Sequence, residues 1–196
     1  MIMVLPLLPN SALAQGIGNG DFLVLNNGDT LYGHVKHINE AGIPRRFYKK
    51  IRLTTVEGNR KKFNRKRISA FRSGNADYES FWLNQSTNKI LLVNPKYDVD
   101  KKVGRQYFLK AVSKGKLSHY ELEWFEQADA SLLSMALLKN ENDSYFIRAN
   151  QGLLGLKRNV LKDYFFNCPI LQEAILQKQV NEVGQITEYY NRHCAD

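Results

Sequence analysis

Between Arg45 and Arg67 the chain carries eleven basic residues: Arg45, Arg46, Lys49, Lys50, Arg52, Arg60, Lys61, Lys62, Arg65, Lys66 and Arg67. A single carboxylate, Glu57, stands among them, and Phe47, Tyr48 and Phe63 are interleaved. Such a stretch suits phosphates or sulfated and carboxylated sugars, with the aromatic rings able to stack on bases or sugar rings. The plainer reading of a charge run is a solvated face. The formal net charge of +9 points the same way, towards weak attraction to anionic surfaces, and says nothing about fold.

Two other groups of residues have chemical potential. His119 with Glu121, Glu123 and Glu126 could hold a metal or supply a general acid and base. Yet Glu121 and Glu123 alternate with Tyr120, Leu122 and Trp124, which reads more simply as the wet face of a strand. There is no Gly-x-Ser-x-Gly elbow, no phosphate-binding Gly-Lys-Ser/Thr loop and no His-Glu-x-x-His pair. The glycines at 16, 18 and 20 lack the preceding strand that a dinucleotide loop requires. The expectation is therefore no enzyme, no cofactor and no catalytic, cofactor-binding or metal residue. Cys168 and Cys194 make an even count, which in an exported chain reads as a cystine and in a cytoplasmic one as two buried thiols. His193 beside Cys194 does not reproduce the paired spacing of zinc sites.

The elements that would position these residues begin after a leader. An apolar run from Ile2 to Leu8, with small residues at Ala12 and Ala14, reads as a signal peptide over residues 1–14 cut before Gln15. The run has no basic residue before it, contains Pro6 and is followed by Pro9. No later segment offers the ~18 consecutive apolar residues of a membrane span. Residues 15–21 read as a flexible N-terminus. Residues 22–75 read as a small β-barrel-like unit. In it Phe22–Leu25 and Thr30–Val35 flank an Asn-Asn-Gly-Asp turn, and Gly33 gives room for a bend or close strand crossing. Alternation sends Leu31, Val35, Ile51 and Phe63 to the core and Tyr32, His34, Lys36, Arg52, Arg60 and Lys62 outward.

Residues 76–150 read as antiparallel hairpins packed on that unit, although the arm from Leu132 to Leu138 could instead be helical. After Gly155 the period changes: Leu156, Val160 and Tyr164 recur every four residues, as do Leu161 and Phe165. Pro169 opens a second helix at its first position, and a third carries Ile186, Tyr190 and Cys194 on one face. Residues 151–196 are thus a helical tail with a cystine. The fold class is α+β: an antiparallel β-rich body, small barrel plus hairpins, followed by a short C-terminal helical bundle.

The segment "NNGDTLYGHV", followed by a strand, a Gly-containing turn and an Ile-centred strand, resembles SH3-like and Sm-like barrels. Together with "YFIRA", "LKDYFFNCPILQEAI" and "ITEYYNRHC" it also resembles a group of uncharacterised exported proteins of Bacteroidota. Those proteins pair a β-rich body with a helical tail bearing Cys-Pro and a terminal Tyr-Tyr-Asn…Cys. The resemblance implies export, this architecture and a cystine, and supplies no catalytic residue. The expected function is that of an exported, periplasmic or extracellular, non-enzymatic envelope protein acting as a binding or interaction module. Its candidate ligands are anionic polysaccharide or envelope phosphate, met by the basic face. The alternative is a cytoplasmic nucleic-acid-binding SH3/Sm-like barrel protein, and the third reading is a hydrolase.

Overall fold

Gly33 decides how the first strands are arranged. Its φ of +146° is closed to most side chains, and a Cβ there would stand 2.4 Å from the carbonyl oxygen of Thr54. The chain bends at this glycine, so that β2 (Thr30–Tyr32) pairs antiparallel with β1 (Phe22–Leu25) while β3 (His34–Lys36) pairs with β4 (Lys50–Thr54). The structure, a computed structural model, describes residues 20–36, 50–85, 96–125, 131–150 and 155–195. The expected signal peptide, residues 15–19, Arg45, Arg46, Phe47, Tyr48, Lys49 and Glu126 lie outside the described residues.

From β4 the chain turns through Glu57-Gly58 into β5 (Arg60–Asn64) and completes a three-stranded sheet in the order β3-β4-β5. A 3₁₀ turn, Arg65–Arg67, then leads to β6 (Ile68–Ser73), which returns to pair with β1. One apolar core joins these strands: Leu23, Val35, Ile51, Leu53, Ile68 and Phe71 are all buried. Tyr78 and Phe108, from strands described next, close it, with the Tyr78 ring stacked on Phe71 at 4.7 Å.

Six further strands follow: β7 (Ala76–Gln85), β8 (Lys96–Val99), β9 (Arg105–Ser113), β10 (Leu117–Phe125), β11 (Leu132–Asn140) and β12 (Tyr145–Arg148). They pair in the cycle β7-β8-β12-β11-β10-β9, and β9 pairs back onto β7, so this antiparallel sheet closes into a six-strand barrel. The β-rich body with a barrel is thus present, and the closed barrel is built by the residues that read locally as separate hairpins. The arm from Leu132 to Leu138 is strand rather than helix, because all nine residues of β11 pair with β10. Leu83, Leu109, Tyr120, Leu137 and Phe146 fill the barrel, and the rings of Phe81, Tyr120 and Phe146 meet edge to face.

The tail is helical, as its four-residue period predicts: α1 (Arg158–Tyr164), α2 (Pro169–Leu176) and α3 (Val183–His193). Pro169 opens α2, and Glu182 with Gln185 forms a capping box at the start of α3. Leu161, Phe165, Leu171, Ile175 and Ile186 pack on the outward-facing Leu117, Ala136, Leu138 and Ile147 of the barrel. Cys168 and Cys194 form a disulfide with Cα atoms 5.8 Å apart, joining the start of α2 to the end of α3. Asn191 pins α3 to β10 by accepting from the Leu117 N–H and donating to its carbonyl, both at 2.8 Å. Among the described residues no helix is long and apolar enough to cross a membrane.

Candidate anion-binding face

Register places the cations of the three-stranded sheet. Lys36 lies opposite Arg52, and Arg52 lies opposite Lys62, so three basic side chains form one row across β3, β4 and β5. Cross-strand partners share a face and residues two apart on a strand share it too. Lys50, opposite Asn64, and Arg60, opposite Thr54, therefore extend the row along the same side, and His34 stands at its corner. The opposite side carries the buried Val35, Ile51 and Leu53 with the partly buried Phe63. None of the thirteen residues of these three strands is Asp or Glu. The Asp21 carboxylate, outside these strands, sits 3.2 Å from His34 Nδ1 and also accepts the Val35 N–H.

The basic stretch is therefore divided by the pleat. Lys50, Arg52, Arg60 and Lys62 share the outward face, whereas Lys61, opposite the buried Leu53, projects to the other side of the β5 edge. Counting Lys61 on one continuous face with its neighbours is corrected by this register, since adjacent strand residues point to opposite faces. Arg65, Lys66 and Arg67 belong to the 3₁₀ turn. That turn is held at both ends: Asn64 accepts from the Lys66 N–H at 3.0 Å, and Asn26 donates to the Lys66 carbonyl at 2.7 Å. Partial burial lowers the Arg65 pKa, with repulsion from Arg105 adding to it and Tyr107 opposing it. The alternation around Val35 already turned Lys36 outward, and the register adds it to the row. Sequence reasoning missed Arg105, since nothing local ties it to the basic stretch.

The His119 group looks different. The face with Glu121 and Glu123 is not simply wet: the Glu123 side chain is only 12 % exposed, accepting from the Tyr78 hydroxyl at 3.2 Å and facing Lys110 at 3.7 Å. Lys110 also lies 3.4 Å from Glu121. His119 itself is 7 % exposed, and neither ring nitrogen has a hydrogen-bond partner. Burial pushes its pKa down, against the pull of Glu121. Ser113, opposite His119 across the β9–β10 pair, also has an unpartnered buried hydroxyl. Among the described residues no group of three or more His, Cys, Asp or Glu side chains is placed to hold a metal.

A groove of about 340 Å³ lies between the β11–β12 turn and the tail, lined by Asn140, Asp143, Tyr145, Tyr164, Phe166 and Cys194. Its polar groups are largely engaged with one another. Tyr164 donates to Asp143 at 2.5 Å and accepts the Asn140 N–H, while the Asn140 amide donates to the Tyr190 hydroxyl. Burial, with Asp143 beside it, pushes the Tyr164 pKa well up. The phenol thus serves as a neutral strut. Comparison with protein-family models, curated proteins and solved structures returns no match.

Proposed function

We propose that this is an exported, non-enzymatic envelope protein that binds an anionic ligand, foremost anionic polysaccharide, on the outer face of the β3-β4-β5 sheet. The observation that carries the reading is the cross-strand row Lys36, Arg52 and Lys62, flanked by Lys50 and Arg60 on strands without a carboxylate. Like charges placed opposite one another on a sheet cost stability, and a bound polyanion turns that cost into affinity. The disulfide supports an oxidising compartment, hence periplasmic or extracellular placement and the reading of residues 1–14 as a signal. Buried His119 and the ion pairs of Lys110 with Glu121 and Glu123 support a structural rather than hydrolytic role for that group.

The second reading is a cytoplasmic nucleic-acid-binding SH3/Sm-like barrel protein. It is favoured by the strand bent at Gly33, the 3₁₀ link before β6 and the return of β6 to β1. The cystine weighs against it, because the cytosol keeps thiols reduced.

Salt elution from immobilised heparin tests the leading reading. Wild-type protein should be retained at low salt and released steeply as salt rises, since counterion release supplies much of the free energy. A variant with Arg52→Ala, Arg60→Ala and Lys62→Ala should elute at clearly lower salt with an unchanged circular dichroism spectrum. Elution at the wild-type salt concentration overturns the proposal. Mass spectrometry of the native N-terminus tests export: a chain beginning at Gln15 supports it, and an intact Met1 defeats it.

A further inference from the structure

We infer that the ligand is an extended anionic polysaccharide that runs from Arg60 along the outer face, over the 3₁₀ turn and onto the barrel rim at Arg105. This rests on the reading of that face as a polyanion site and adds the length and path of the ligand. The cations follow one another along the chain. Arg60 and Lys62 lead down β5 to Asn64, opposite Lys50, and the next three residues are Arg65, Lys66 and Arg67. Strand and 3₁₀ rises of ~3.4 and ~2.0 Å per residue make this path about 20 Å long. A single phosphate or one sugar unit covers only a fraction of it.

The turn is fixed to the barrel at the place where the path continues. Gln106, 3 % exposed, donates through Nε2 to the Arg65 carbonyl at 3.0 Å and to Ser80 Oγ at 2.7 Å. Arg105 is the next residue on β9, and its guanidinium lies 6.0 Å from the Tyr107 ring centre. The Gln106 bond to the Arg65 carbonyl brings the turn to the strand that carries Arg105 and Tyr107, and repulsion from Arg105 contributes to the lowered Arg65 pKa while Tyr107 opposes it. Two guanidinium forks beside a ring match carboxylate or sulfate groups carried on a sugar.

The partner is a polysaccharide rather than a nucleic acid for two reasons. The described strands of the outer face present no aromatic side chain there, since Phe63 turns to the core, whereas single-stranded nucleic acid is gripped by stacking of successive bases. The disulfide, in turn, belongs to compartments outside the cytosol.

Titration calorimetry of the full chain with size-fractionated heparin fragments, from disaccharide to polymer, reads the path length. Affinity per fragment should rise with length until one chain reaches from Arg60 to Arg105. Arg65→Ala and Arg105→Ala should each weaken long fragments by roughly tenfold, the loss of about one charge-assisted contact, and leave short ones unchanged. Arg65→Ala retains the carbonyl that Gln106 holds, and Arg105→Lys, which keeps the charge but loses the fork, should recover only part of the binding. Equal affinity for short and long fragments, or an equal effect of Arg105→Ala on both, overturns the path while leaving the face intact. Loss of all heparin binding in wild type overturns both. Tighter binding of single-stranded oligonucleotide than of heparin of matched charge overturns the choice of polysaccharide.

Discussion

In the six-strand barrel Lys110 stands against Glu121 and Glu123, and Lys114 reaches Glu79 at 2.7 Å while Tyr120 donates to the same carboxylate. In the β3-β4-β5 sheet Lys36 stands against Arg52, and Arg52 against Lys62. The barrel hides five large apolar residues and bonds every strand on both sides, whereas the sheet has one covered face and two edges. Stability and unbalanced positive charge are thereby assigned to different places. The barrel and its stapled tail hold the molecule together, and the sheet spends part of that stability on holding like charges side by side.

Variants that break this division should show its size. Phe146→Ala empties the middle of the barrel, where the ring is fully buried among Phe81 and Tyr120, and should cost about 3–5 kcal/mol in urea unfolding. Next is the pair Cys168→Ser with Cys194→Ser. It releases a loop with a sequence separation of 26 and should cost about 3–4 kcal/mol on the chain-entropy model, read as a lower melting temperature in non-reducing buffer.

A smaller effect is expected at His119. Its folded pKa is lowered by burial, so the unfolded chain binds the proton more readily. The stability it contributes is complete above the unfolded value near ~6.5 and is lost as pH falls below it towards the folded pKa. His119→Leu should flatten the fall in stability between about pH 7 and 5 and cost little at pH 7, because two unpartnered buried nitrogens are removed. An unaltered pH profile would show that His119 is not the group responsible. Smallest of all, Lys62→Ala should change unfolding free energy by less than about 0.5 kcal/mol while lowering heparin retention. A large loss of stability there would erase the division between the two regions.

Local signals carried much of this architecture. The Asn-Gly turn before Thr30, the four-residue period after Leu156 and the helix-opening Pro169 each act on neighbours in sequence, and each reads through to the structure. The even cysteine count likewise reads through to the bond between Cys168 and Cys194. Closure of the barrel does not read through. It depends on β7 meeting β9, with Asp77 opposite Ala111 and Leu83 opposite Arg105, and a hairpin motif says nothing about a strand two positions along. The candidate face was half legible for the same reason. Alternation puts Lys36, Arg52 and Lys62 outward, but only the pairing register sets them in one row, and only the fold brings the strand of Arg105 to the turn that carries Arg65. Glu121 and Glu123 show the limit from the other side, since periodicity marks a face without revealing that Tyr78 and Lys110 cover it.

Among the described strands β5 is an edge of its sheet, and a sheet edge is a template for a second strand. Here it carries Arg60, Lys61 and Lys62 in succession, so two copies approaching edge to edge bring six cations together. That repulsion opposes strand-by-strand association, and neutralising these cations would lift the barrier to it.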